Sequence, residues 1–351
     1  MAARKEVVRK MVAEGMSTGK ALALAEVPRS SYYYKPNGKR KGPTPSRRTL
    51  KNGSWVDDDV VVEVIKEMLG QDFIDYGYIR TTAALKQEGY LINKKKVYRL
   101  MKEQHLLYKK TKAASSKKEY VELTVPLCSR PFEIIELDIK YIYIQGLRRH
   151  AYLITMLDVF SRAVLVWDLG WTMKAENVVN LVNKLLRDWL IPHNADPKAL
   201  SVKIRTDNGS QFIAKKFREH LLNSTISNEY IRPATPQQNG HIESFHNTLT
   251  RLVCHKYCFE DIYEAQEVLE RFITVYNEKR IMKSILYMAP MKFLQKWAEG
   301  HIITETKNKR NNYFFREEPR IEKPMDSSSK DSFVLFKDTE KINRLNNHSP
   351  I

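Results

Sequence analysis

Across residues 131–169 three apolar runs follow one another, FEIIELDIKYIYI, HAYLITMLDVF and SRAVLVWDL, separated only by short turns at 145–149 and 160–161. Runs rich in Ile, Val, Tyr and Phe with such short connections predict an antiparallel β-meander. The pattern then changes to alternation. A helical stretch over 174–190 precedes a short strand in ALSVKIRT, a helix over 211–222, a strand near 229–231 and a helix from about Gly240. A meander followed by helix, strand, helix, strand, helix predicts an α/β domain built on one mixed sheet.

That order also determines where three acids fall. Asp138 sits in the middle of the first run, where apolar neighbours make an unpartnered carboxylate costly to bury. Asp207 follows the strand in RTDNGSQF, and Glu243 opens the helix in TPQQNGHIESFHNTL, with 35 residues between the two. Three carboxylates on three elements suit phosphoryl transfer at a phosphodiester. That reaction needs a hydroxyl activated, a leaving oxygen stabilised and the two held in line, work done by two Mg²⁺ ions on hard oxygen ligands. Mn²⁺ is expected to substitute. The predicted catalytic and metal-holding residues are therefore Asp138, Asp207 and Glu243. Asp158, in LDVFSR, reads instead as a turn-forming acid at the edge of the meander. Cys128, Cys254 and Cys258 have neither a disulfide framework nor the paired spacing of a zinc site.

Charge separates the ends of the chain. The total is +18, and residues 1–130 account for +13 of it, with 27 Lys+Arg against 14 Asp+Glu. A front third this basic suits a polyanion, because Lys and Arg contacts to phosphates release condensed counterions. It equally suits a ribosomal or generally adhesive basic protein. No apolar run is long enough to span a bilayer and MAARKEVVRK is no secretory signal, so no membrane partner and a cytoplasmic location are expected.

The basic part reads as two small all-α modules of helix-turn-helix type, over 1–36 and 55–108, with linkers at 37–54 and 109–130. In the second, Gly89 ends one helix and Asn93 caps the next. On that last helix Val97, Leu100 and Met101 form the buried stripe. Lys94, Lys95, Lys96, Arg99 and Lys102 are left to solvent as a candidate DNA-binding face. The core is assigned to 131–298, and 299–351 to a polar tail, partly disordered or a small appended module in which 313–315 and 333–336 are candidate strands.

The segments DIKYI, LDVFSRAVLVW, RTDNGSQF, PATPQQNGHIESFHNTLTR and YNEKR…LYMAP resemble the catalytic core of insertion-sequence transposases of the OrfB type, within the superfamily that includes retroviral integrases. YGYIRTTAALKQEGYLINKKKVYRLMK resembles the helix-turn-helix ahead of that core. The resemblance implies a ribonuclease-H-like, Asp-Asp-Glu core acting on double-stranded DNA, both transposon ends and target, by 3′ end cleavage and strand transfer. It also implies a homo-oligomer on DNA and leaves room for a partner protein from an upstream frame. Asn208, Gly209 and Gln211 would shape the loop behind Asp207, and Asn239 and Gly240 the turn before Glu243. Asn247 and Arg251, one and two turns past Glu243, share its face as candidate substrate contacts; His241 and His246 are candidates for assistance or for structure. The competing readings are a non-catalytic DNA-binding regulator of its own element and a cellular nuclease of the same fold.

Overall fold

The computed structural model describes residues 2–34, 46–108, 128–193, 201–231, 239–307 and 312–318. The chain divides into two compact units at Arg47/Arg48. The first holds three short helices, α1 (Ala2–Ala13), α2 (Thr18–Leu24) and α3 (Arg29–Tyr33), around Val8, Ala21, Leu22 and Val27.

The second unit begins with a hairpin, β1 (Arg48–Lys51) and β2 (Ser54–Asp57), where the sequence predicts a linker. Its turn is Asn52-Gly53, both at positive φ (46° and 88°), the pairing that suits the twist of a two-residue hairpin. Three helices follow: α4 (Asp58–Gly70), α5 (Tyr78–Gln87) and α6 (Lys94–Glu103), with the two-residue strand β3 (Tyr90–Leu91) added to β1. Asn93 accepts from the Lys96 N–H at 2.9 Å and caps α6. The apolar faces of the helices meet at Val61, Ile65, Leu85, Val97, Leu100 and Met101.

The central sheet has the order β6-β5-β4-β7-β8. β4 (Ile134–Ile144), β5 (Arg149–Asp158) and β6 (Val164–Gly170) are the predicted antiparallel meander. β7 (Lys203–Thr206) and β8 (Ser227–Tyr230) add in parallel on the β4 side. Residues of opposite parity on a strand point to opposite faces, and both faces here are covered. On one, Ile135, Leu137, Ile154 and Ile204 pack against α7 (Ala175–Leu185) and the helix Lys215–Asn223. On the other, Ile142, Ile144 and Leu153 pack against the Glu243 helix (Gly240–Leu249) and the long helix Ile262–Glu278. This three-layer α/β arrangement on a mixed five-stranded sheet is the ribonuclease-H-like core that the element order predicts.

The predicted helix over 211–222 is two helices, Ser210–Ile213 and Lys215–Asn223, parted at extended Ala214. Beyond the core helix Pro290–Ala298, β9 (Ile302–Lys307) and β10 (Asn312–Glu317) form a hairpin, so the 313–315 segment is a strand as expected; 333–336 lies outside the described residues.

Candidate active site

β4 carries two carboxylates on one face, Glu136 and Asp138, and both reach the Glu243 helix. Glu136 Oε2 accepts the Ile242 N–H at 2.7 Å. Asp138 Oδ2 lies 3.2 Å from His246 Nδ1. Two residues of strand advance about 6.6 Å, and the four helical residues from Ile242 to His246 advance about 6 Å. The two contacts are therefore matched rungs that hold helix and strand in fixed register, with Glu243 between them in sequence. Asn239 stands at the N-cap but makes no side-chain cap bond. Glu136, from a neighbouring strand, takes over the acceptor role that a cap side chain ordinarily fills at the third helical N–H.

Burial sets the protonation of this corner. Glu136 is fully buried, and the loss of water pushes its carboxyl up to about 7, against the lowering pull of the Ile242 N–H, Arg205 and Arg162. His241 is driven down to about 3 by burial and by the same two arginines, so its imidazole is neutral. Glu243 is raised above the usual carboxylate range by burial first and then by the negative charge of Asp138, with His246 acting against both. Glu136 Oε1, Asn239 Oδ1 and His246 Nε2 are buried without a hydrogen-bond partner, so polar atoms beside the carboxylates remain unsatisfied.

Asp207 arrives by the sheet. In the parallel β4/β7 pair Glu136 stands opposite Arg205, so two residues further along each strand come Asp138 and Asp207. Asp207 Oδ1 accepts the Gly209 N–H at 2.9 Å. A Cβ at Gly209 would come within 3.0 Å of Asp207 Oδ1 and 2.3 Å of Gln211 Nε2, so a larger residue there would displace the ends of these two side chains. Asn208 Nδ2 donates to Ile231 O at 3.1 Å and ties the loop to the end of β8. Gly240, in contrast, has open space where a Cβ would stand.

Asp138 and Glu243 thus interact electrostatically, while Asp207 occupies the neighbouring strand end with one oxygen turned into its own loop. Among the described residues no three His, Cys, Asp or Glu side chains are close enough together to hold a metal ion. The donor set nevertheless fits Mg²⁺. The ligands are hard carboxylate oxygens, and two of them repel one another in a way that a divalent cation relieves. Asp158 is no part of it: it is fully buried and takes hydrogen bonds from Phe132 N (3.0 Å), Ser161 N (2.9 Å) and Ser161 Oγ (2.6 Å) at the turn after β5.

The basic face of α6 is narrower than the sequence predicts. Lys94, Lys95 and Lys102 are exposed, but Lys96 and Arg99 turn onto Asp58 at 2.5 and 2.7 Å, and Lys96 also donates to Arg48 O. The expectation that all five are left to solvent is corrected, because Asp58, 38 residues before Lys96 and 41 before Arg99, draws these two inward. Asn247 is exposed. Arg251 is half-exposed and pairs with Asp75 at 2.6 Å.

Glu136 escapes the sequence reading, although the argument that singles out Asp138 applies to it more strongly. A second carboxylate two residues earlier on the same face of an apolar strand was the available signal. Nothing local marks Asp75, which becomes significant only when the chain folds back.

The mixed sheet with carboxylates at the ends of β7 and of the helix docked on β4 defines a ribonuclease-H-like α/β protein of the integrase-core class. Integrase core domain models match residues 129–236 and 215–290, and an HTH-like domain model matches 56–113. The transposase for insertion sequence element IS904 of Lactococcus lactis is 28% identical over 252 residues, covering 68% of this chain and 94% of that protein. The putative transposase InsK for insertion sequence element IS150 of Escherichia coli is 26% identical over 285 residues, covering 78% and 91%. The chain thus carries an integrase core domain with an HTH-like domain ahead of it, and the relatives it resembles are named as transposases of insertion sequences. Among solved structures, the HTLV-2 integrase catalytic core domain in complex with magnesium is similar at 16% identity and TM-score 0.33, over 47% of this chain and 96% of that one, a likeness too slight to add to the topology. No helix among the described residues is long and apolar enough to cross a membrane.

Proposed function

We propose that the protein is a DNA transposase that binds the ends of its element, hydrolyses the 3′ end and joins the freed 3′ hydroxyl to target DNA. The observation that supports this reading is an integrase core in which the Glu243 helix is locked on the strand that bears Asp138, with Asp207 two residues past the β7 position paired with Glu136. Asp138, Asp207 and Glu243 would hold divalent metal, Mg²⁺ or Mn²⁺, which when bound supplies a polarised phosphate and an activated hydroxyl. In the two-metal scheme Asp138 would be shared, holding one ion with Glu243 and the other with Asp207. Glu136 and His246 keep the helix and Asp138 oriented. Asp207 completes the site when its side chain leaves the turn hydrogen bond with Gly209. The exposed lysines of α6 supply phosphate contacts to duplex DNA. Joining two ends calls for at least two protomers.

The test is a strand-transfer assay with a labelled duplex carrying the element's own end and Mg²⁺, comparing wild type with Glu243→Gln. Nicked and joined products from wild type alone are expected. Equal product from both proteins overturns the site assignment. Tight end binding without product from either points to the non-catalytic regulator, or to a chain that works only with an upstream-frame partner.

A further inference from the structure

Past Glu136, where its pairing with β7 stops, β4 runs on to Ile144 with β5 beside it. On this extension Tyr141 stands opposite Tyr152 and Tyr143 opposite His150. Directly opposed residues of an antiparallel pair share a face, so the four rings lie on the side of the sheet that carries Ile135 and Leu137. Tyr141 is 55% exposed and Tyr143 44%. The rings meet only tilted or edge-on: Tyr141 lies 5.2 Å from Tyr152 and 6.0 Å from His150, and Tyr143 5.1 Å from His150. The hairpin that bears them is tied down at its turn, where the Gly146 N–H donates to Phe259 O at 3.2 Å and the Phe259 N–H to Gln145 Oε1 at 2.8 Å.

The charge on this hairpin is of one sign. From Ile139 to Leu157 it carries Lys140, Arg148 and Arg149 and no acid. Arg148 is exposed in the turn, and Arg149 lies over the Trp171 ring at 4.2 Å. On the next strand, β6, Asp168 faces the same way as the rings, but it stands opposite the buried Ile154 at the covered end of the face. Exposed rings with a basic border suit a second copy of this chain or a nucleic acid. A two-fold contact would set the patch on itself, and two basic hairpins would meet with no acid on either to offset them. A polyanion is drawn by the same charge. Bases inside a duplex show only their edges, in the grooves, whereas an unpaired base offers a ring face that stacks on an aromatic side chain whatever its sequence. We propose that Tyr141 and Tyr143 stack on unpaired bases of the DNA strand beside the cutting site.

This inference rests on the reading that the chain cuts and joins DNA, and it adds the form in which the DNA is held. Tyr141 lies three residues past Asp138, about 10 Å along β4, and on the other face of the strand. Asp138 is turned to the Glu243 helix, and between the two residues the edge of β4 is not paired with β7. A single strand can round that edge from one face to the other. A duplex, stiff over about 150 base pairs, cannot. Bases stacked on the two tyrosines are kept from their partners while the phosphate to be cut lies at the acids.

The test compares wild type with Tyr141→Leu, Tyr143→Leu, Tyr143→Phe and a control, Tyr263→Leu, which alters a phenol 78% exposed on the helix Ile262–Glu278. Fluorescence anisotropy reads binding to a labelled oligothymidylate of about 20 nucleotides and to a blunt duplex of the element's end. Leucine at 141 or 143 removes the ring and keeps an apolar side chain. Each is expected to weaken oligothymidylate binding about tenfold and to leave duplex binding within about twofold of wild type. Tyr143→Phe keeps the ring and is expected to match wild type, as is Tyr263→Leu. Oligothymidylate binding unchanged in Tyr141→Leu and Tyr143→Leu overturns the proposal. An equal loss on both DNAs also overturns it, since base faces are then not what the rings touch, and so does a Tyr143→Phe variant as weak as Tyr143→Leu. Sedimentation velocity on the same proteins covers the other occupant: a wild-type dimer lost in the two leucine variants makes the patch a contact between copies and overturns the proposal. A wild type that binds the duplex and not oligothymidylate overturns this inference alone. A wild type that binds neither overturns the DNA-binding reading as well.

Discussion

Glu136→Gln probes the carboxylate that holds the Glu243 helix. Glu136 is fully buried and its carboxyl is pushed up to about 7 in the folded chain, from an ordinary 4.5. Below 4.5 the group is protonated whether the chain is folded or not. Between 4.5 and 7 the folded chain keeps a proton that the unfolded chain has released, so stability falls as pH rises, by about 1.4 kcal/mol per pH unit. Above 7 both forms are ionised and the loss is complete, about 3 kcal/mol across the window. Glutamine has no proton to lose and keeps an acceptor oxygen for the Ile242 N–H. The expected outcome is a stability advantage of Glu136→Gln over wild type that grows by about 3 kcal/mol between pH 5 and pH 8.5. Urea unfolding of both proteins in metal-free buffer at four pH values reads it, because every other titrating group cancels in the difference. A difference that stays constant across the series refutes the claim that burial governs this carboxylate.

Two further outcomes follow from groups away from the metal-holding acids. Asp158→Ala leaves three donors without their acceptor in a buried turn and should cost about 4 kcal/mol, at roughly 1–3 kcal/mol for each orphaned group; a loss below about 1 kcal/mol in urea unfolding contradicts the turn-holding role. Cys258 is exposed, whereas the Cys128 thiol is buried and raised by burial and by Asp158 and Glu133. A thiol reagent should therefore label Cys258 in the native protein and reach Cys128 only on unfolding, as peptide mapping of the labelled sites will show.

The core was legible because its strands are long, apolar and closely spaced, which leaves the meander few alternatives. The placement of Asp138 within β4 and of Asp207 just past β7 was legible for a related reason, since a charge inside or at the end of such a strand needs an explanation. The β1/β2 hairpin is hidden by its surroundings: a Pro- and Lys-rich stretch reads as linker, and the Asn52-Gly53 turn is a two-residue signal inside it. The inward turn of Lys96 and Arg99 was not legible at all, because their partner Asp58 is fixed by the packing of α4 on α6 and not by any helical period. Glu136 lay between these cases. Its position was visible, but its role depends on a helix more than 100 residues downstream.

The paired contacts of Glu136 and Asp138 bear on how the chain tolerates insertions. The Glu243 helix takes its register from β4 through these two contacts. A single residue inserted between Glu243 and His246 would put the two rungs out of step and turn Glu243 by about 100° relative to His246. Length variation among functional copies is therefore expected to be absent from the first turn and a half of the helix.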